Sequence, residues 1–181
     1  TVALDDLDPQ PEHRRATRLI THFIANYHYK KATLDDALSQ VIFDNYLKAL
    51  DPTKSYLMQS DIDEFGAFAT ELDDDLRNSD LQTVFDLFVR FRERIESRMP
   101  KAIALLDKPF DFTVDESFEF DRENATWAAN EGELDELWRK RVKNDVLSLR
   151  LSGRKEKAIR DTLRKRYEGI LRQTAQYNSE D

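Results

Sequence analysis

The sequence predicts an all-α domain: an irregular bundle of five or six helices with one extended aromatic arm around residues 110–120. Three observations carry this expectation. Only 4 Gly and 5 Pro interrupt 181 residues, too few to punctuate a turn-rich β architecture. Apolar residues recur at three- and four-residue spacing over long stretches, the period of a helix with one buried face. Polar residues followed three positions later by an acid or amide stand where those stretches begin, which is the pattern of a helix N-terminus. A chain of this length buries roughly two-thirds of its unfolded surface and needs no covalent staple. It contains no cysteine, which excludes disulfides, thiolate catalysis and cysteine-ligated zinc.

The first helix is predicted from about Pro11 to Tyr29, with Leu19, Ile20, Phe23, Ile24 and Tyr27 inward. Thr33 with Asp36 opens the second, whose stripe is Leu34, Ala37, Leu38, Val41, Ile42, Leu47 and Leu50. Ser60 with Asp63 opens the third, carrying Ile62, Phe65, Ala69, Leu72 and Leu76. Ser79 with Gln82 opens the fourth, carrying Leu81, Val84, Phe85, Phe88, Phe91 and Ile95. Pro100 lacks a backbone donor and crowds the preceding turn, so it is expected to end or kink that helix. In "FDFTVDESFEF" the pattern changes to alternation, placing Phe110, Phe112, Val114, Phe118 and Phe120 on one side of an extended arm packed over helices. Asn130 with Glu133 caps the fifth helix, which buries Leu134, Leu137, Trp138, Val142 and Val146 before Ser152-Gly153 breaks it. The last helix runs from about Lys155 to Gln176, with Ala158, Ile159, Leu163, Tyr167, Ile170 and Leu171 inward. Nothing in the closing "AQYNSED" closes the domain, so the end is expected to be a cut within a longer chain as much as a natural terminus.

Net charge is −8, unevenly placed. Residues 1–80 hold 16 acids and 8 bases, whereas residues 139–172 hold 13 bases and 4 acids. An acidic front and a basic rear suit contact with another domain or partner, or simply solvate two helix faces. The pI near 5.0 argues against nucleic acid as a ligand, and Trp138 and Tyr167, the aromatics of the basic stretch, fall on faces predicted to be buried. No run approaches the ~20 apolar residues of a membrane span, so membrane insertion is not expected.

Few motifs announce chemistry. "LKALDPTKSYL", residues 47–57, places Lys54 beside Ser55. A Ser–Lys dyad needs a desolvated amine within hydrogen-bond reach of the hydroxyl, and adjacent side chains diverge, so the segment reads as a joint between helices. Asp61, Asp63 and Gly66 imitate a calcium loop, but Phe65 and Leu72 stand where oxygen ligands belong. His13, His22 and His28 have the wrong spacing for one helical zinc face. Neither metal nor cofactor is expected, and no catalytic residue is assigned. Candidate interface residues are Trp127, which lies on no stripe and either anchors a partner or staples its own helix, Phe118 of the arm, and Arg139 and Arg160 of the basic helices.

The stretches "IFDNYLKALDPTKSYLMQSDIDEF", "LDKPFDF", "ELDELWRKRVKNDVLSLRLSG" and "TLRKRYEGILRQTAQYNSED" resemble the N-terminal region of the tail-specific proteases, within the carboxyl-terminal processing protease family. The resemblance runs from about His13 to Asp181 and rests on many segments in order, not on a catalytic signature. It implies that residues 1–181 form a single helical N-terminal domain of a periplasmic serine endopeptidase with a Ser–Lys dyad. It also implies partners: the parent's own PDZ and protease domains, protein substrates with apolar C-termini, and, for some members, a lipoprotein adaptor. The Ser/Ala-rich nucleophile segment and the Gly-Lys-Gly segment of that family have no counterpart here, so a non-catalytic role in confining substrate is expected. The alternative is a free-standing helical adaptor module.

Overall fold

The computed structural model describes residues 1–27 and 36–177. Seven α-helices occur among these residues: α1 (Pro11–Tyr27), α2 (Asp36–Leu50), α3 (Gln59–Gly66), α4 (Leu72–Asn78), α5 (Gln82–Leu105), α6 (Glu131–Leu151) and α7 (Glu156–Thr174). A 3-10 turn, Leu4–Asp6, precedes them. The described residues contain no strand, only one parallel bridge between Met58 and Ala128, so the all-α expectation holds. Thr33, Leu34, His28 and the last residues of "AQYNSED" lie outside the described residues.

The three long helices α5, α6 and α7 pack on one another, and α3 lies against α5. At the centre stands Trp138, 1 % exposed. Its Nε1–H donates to the Ser55 carbonyl at 2.6 Å. Tyr56 and Tyr167 flank it at ring-centroid distances of 5.5 and 6.2 Å. Tyr167 donates its hydroxyl to Asp145 at 2.7 Å; burial and the neighbouring carboxylate hold that phenol well above its ordinary range. The helix stripes supply the rest: Leu134, Val142 and Val146 from α6, Ile159 and Leu163 from α7, and Phe91, Ile95 and Met99 from α5. The N-terminal segment is strapped across this unit. Val2 donates to the Ala175 carbonyl at 2.9 Å, buried Arg92 donates to the Val2 carbonyl, and Leu7 is 3 % exposed.

Several sequence expectations are corrected. Leu19 and Ile20 of α1 are exposed, while Thr17 is buried, and α1 lies against α4. On α2, Ala37 and Val41 are exposed and Phe43 joins the core. The third predicted helix is two: three-residue turns at Phe68, Ala69 and Glu71 replace the helical pattern after Gly66. Ser79 does not cap α5: the N-cap is Leu81, with no side-chain cap bond, Asp80 just before it accepts the Gln82 N–H at 3.0 Å, and Ser79 takes a left-handed φ of 57°. Pro100 does not end α5: its missing donor costs one intrahelical bond, and buried Met99 and Ala102 anchor the helix on either side. Ala158 is exposed on α7.

Candidate docking groove beneath the aromatic arm

The joint after α2 is built around one carboxylate. Asp51, 1 % exposed, accepts the N–H groups of Ser55, Tyr56 and Leu57 at 2.9, 2.8 and 3.0 Å. Burial raises its pKa, and these three donors and Arg141 offset part of the rise. Lys54 adopts a left-handed φ of 49°. Lys54 Nζ donates to the Ala125 carbonyl at 2.6 Å and lies 5.4 Å from the Trp127 ring centroid. Ser55 Oγ is 2.9 Å from Thr53 Oγ1 and donates to the Thr53 carbonyl at 3.2 Å. Amine and hydroxyl thus have separate partners, as a joint requires, and the loop fastens both α6 and the end of the arm.

Residues 107–130 form the arm. Phe110 and Phe112 pack on the core as expected, but Val114 and Phe120 are 53 % and 69 % exposed, so the alternating pattern does not hold one side throughout. An Asx turn explains the change: Asp111 accepts both the N–H and the hydroxyl of Thr113 at 2.9 and 2.7 Å. Beyond it Glu116 turns inward and receives hydrogen bonds from Arg139 and Lys143 of α6. The Arg139 and then the Lys143 contacts hold the Glu116 carboxyl at about 2, against an ordinary 4.5. A depressed carboxyl stabilises the fold above its unfolded value, and that contribution is lost as pH falls through the folded one. Between pH 4.5 and 2, therefore, the urea midpoint of the wild-type chain is expected to fall more steeply than that of Glu116→Gln; parallel curves would contradict the clamp.

The clamp leaves an open furrow along α6. One part, about 360 Å³, has Phe118, Trp127 and Leu137 as apolar lining, with Arg122 and Lys140 and the carboxylates Glu119, Glu133 and Glu136 beside them. A second part, about 370 Å³, continues past Phe118 and Lys140 to Asn144 and Leu147. Leu137, Lys140, Asn144 and Leu147 follow one another at spacings of three and four, so one face of α6 floors the furrow. The structure therefore brings Phe118 and Trp127 together. Trp127 is half-buried against the core and lines the furrow with its remaining surface. Arg139 stands on the same helix but spends its guanidinium on Glu116 and Glu136. Arg160 is elsewhere, in a smaller hollow between α6, α7 and the start of the arm. The sequence reading missed Glu116 and the Lys140–Leu147 floor; the three-four spacing of the latter was readable, the former was not.

The other candidates have structural partners. Asp61, fully buried, accepts from Met58 N–H, Arg90 and Arg94 at 3.0, 2.9 and 2.8 Å. His13 accepts the Gln10 N–H through Nδ1 and stacks near Phe85. Among the described residues no group of three His, Cys, Asp or Glu side chains could hold a metal, and no helix is long and apolar enough to cross a membrane. The basic rear is partly neutralised within the domain, by Arg150–Glu156, Arg164–Asp107 and Lys143–Glu116 pairs.

By architecture this is an all-α domain with three long helices, an arm clamped across one of them and a furrow left open between the two. Residues 20–181 match the family model described as the tail specific protease N-terminal domain, and the chain belongs to that family. Among curated proteins it is similar to the tail-specific protease of Haemophilus influenzae, with 37 % identity over 171 residues. That match covers 94 % of this chain and 25 % of the relative, so the chain spans about a quarter of the length of the curated protein it resembles.

Proposed function

We propose that the chain is the non-catalytic N-terminal helical domain of a periplasmic tail-specific serine protease, where it confines or supports a protein substrate taken by its apolar C-terminus. The match of residues 20–181 to the N-terminal domain of these proteases carries the reading. The separate partners of Lys54 and Ser55 agree with it, since a dyad needs the amine on the hydroxyl. Peptide-bond cleavage would then fall to a Ser–Lys dyad, and recognition of the terminus to a PDZ domain, both in polypeptide outside these 181 residues. A lipoprotein adaptor is a further partner under this reading. The furrow beneath the arm, with Phe118 and Leu147 accessible along it, offers the wall that an unfolding chain would slide against. The test places a photo-crosslinking residue at Phe118, and separately at Leu147, in the full-length protease. Crosslinks to a protein bearing an apolar tail, formed while it is being degraded, are expected from at least one position. Efficient degradation with no substrate crosslink from either would overturn the confining role of this furrow.

A further inference from the structure

We infer that residues 114–120 of the arm are an unpaired β-strand that takes up a strand from a partner polypeptide, an extended internal segment alternating apolar and basic residues, laid in the furrow along α6. Residues 115–119 run without a bend, and exposure alternates along them. Glu116 and Phe118 face inward, while Asp115, Ser117 and Glu119 are exposed. That is the two-residue period of an extended strand. Among the described residues, no backbone N–H or carbonyl of residues 114–120 takes part in a hydrogen bond. Both edges of the strand are therefore without a ladder, and the bridge between Met58 and Ala128 lies beyond it.

The strand is already held in place. Glu116 receives hydrogen bonds from Arg139 and Lys143, and the Phe118 ring meets that of Phe120 edge-on at 5.2 Å between centroids. A partner meets a fixed template, so little ordering cost falls on the arm when it pairs. The furrow runs beside residues 112–118, with Lys140, Asn144 and Leu147 of α6 beneath. A chain lying there hydrogen-bonds to the arm through its backbone, and every second side chain drops onto Phe118 and Leu147. Charge selects the partner. Asp115 and Glu119, on the exposed side, have neither a hydrogen bond nor an ion pair among the described residues. Opposite charges across a strand pair attract and like charges repel, so lysine or arginine at alternate positions of the incoming strand answers both carboxylates. A second copy of the chain does not: antiparallel pairing of two arms about Ser117 sets Asp115 of one against Glu119 of the other, twice. The inference rests on the furrow as a wall for polypeptide and names the kind of segment it holds. It is read by binding to the chain alone, so it and the crosslinking in the full-length protease fail independently.

The experiment titrates the 181-residue chain, by calorimetry or by NMR shifts, with Lys-Val-Lys-Val-Lys-Val-Lys, acetylated and amidated so that no free terminus contributes. The comparison peptides are its Glu-Val counterpart and two N-methylated versions, one blocking the valine amides and one the lysine amides. Successive amides of a strand point to opposite edges, so only one methylated set meets the arm. The basic peptide is expected to bind. One methylated set is expected to weaken it by about tenfold or more while the other changes it little. Asp115→Lys combined with Glu119→Lys is expected to weaken it by about tenfold, since two attractive pairs become repulsive. Both positions are exposed, and the methylated peptides leave the protein unaltered, so a folding defect does not decide the result. No binding by the basic peptide, or equal effects of the two methylated sets, would overturn the strand pairing. Equal affinity for the Lys-Val and Glu-Val peptides, or unchanged binding in the double variant, would overturn the basic partner.

Discussion

Trp138→Ala is expected to be the most destabilising single truncation in the domain, costing about 3–5 kcal/mol and lowering Tm by roughly 10 °C. The residue is 1 % exposed, and its ring is shared by the joint after α2, through Tyr56, and by α7, through Tyr167. Removing it opens a cavity where these elements meet. It also strands the Ser55 carbonyl, which has Trp138 Nε1–H as donor at 2.6 Å. Trp138→Phe separates the two effects: it keeps most of the ring volume, loses the donor, and is expected to cost about 1–3 kcal/mol. Urea unfolding followed by circular dichroism measures both. A loss under about 1 kcal/mol for the alanine variant would contradict a centre at Trp138.

Asp61→Ala is expected to cost about 2–4 kcal/mol, less than the 3–5 of a fully buried pair, because the arginines keep some contact with water. The carboxylate is 0 % exposed, whereas Arg90 and Arg94 retain 29 % and 25 %. Burial works to raise its pKa, but hydrogen bonds from Arg94, the Met58 N–H and Arg90 outweigh that and leave it lowered. The stabilisation is therefore present above the ordinary carboxylate range and lost as pH falls below it. Truncation leaves two guanidinium groups facing an empty position and uncaps α3, whose first turn Asp61 closes through Met58. Asp63→Ala, two residues on and exposed, is the control and is expected to change the urea midpoint by under about 0.5 kcal/mol equivalent. Equal effects at the two positions would refute the network.

These two residues also mark what could be read in the sequence. Trp138 was legible because α6 obeys local rules at its ends and along most of its stripe. Asn130 Oδ1 accepts the Glu133 N–H at 3.0 Å, Ala129 N–H donates to Glu133 at 2.8 Å, Leu134, Trp138, Val142 and Val146 of the stripe are buried while Leu137 is so only in part, and Gly153 at φ 82° follows its end. Asp61 was not legible: in sequence it imitates a calcium ligand, and the arginines that claim it lie 29 and 33 residues away. Leu19 and Ile20 failed for a related reason. Periodicity gives a helix an apolar face but does not say which neighbour will cover it, and α1 sits at the margin against α4. Of the candidate interface residues, Trp127 could be suspected from its place off every helical stripe and Phe118 from its place in the alternating arm. That they share a furrow depends on Glu116 reaching Arg139 and Lys143, contacts 23 and 27 residues apart in sequence.

The claim on which the functional account rests is that these helices support and enclose while peptide bonds are broken elsewhere. Its most direct test incubates the purified 181-residue chain, and in parallel the full-length protease, with a folded reporter carrying an apolar C-terminal tail, followed by mass spectrometry of the products. The account predicts degradation by the full-length enzyme and an intact reporter with the chain alone. Cleavage by the chain, abolished by Lys54→Ala or Ser55→Ala, would contradict it.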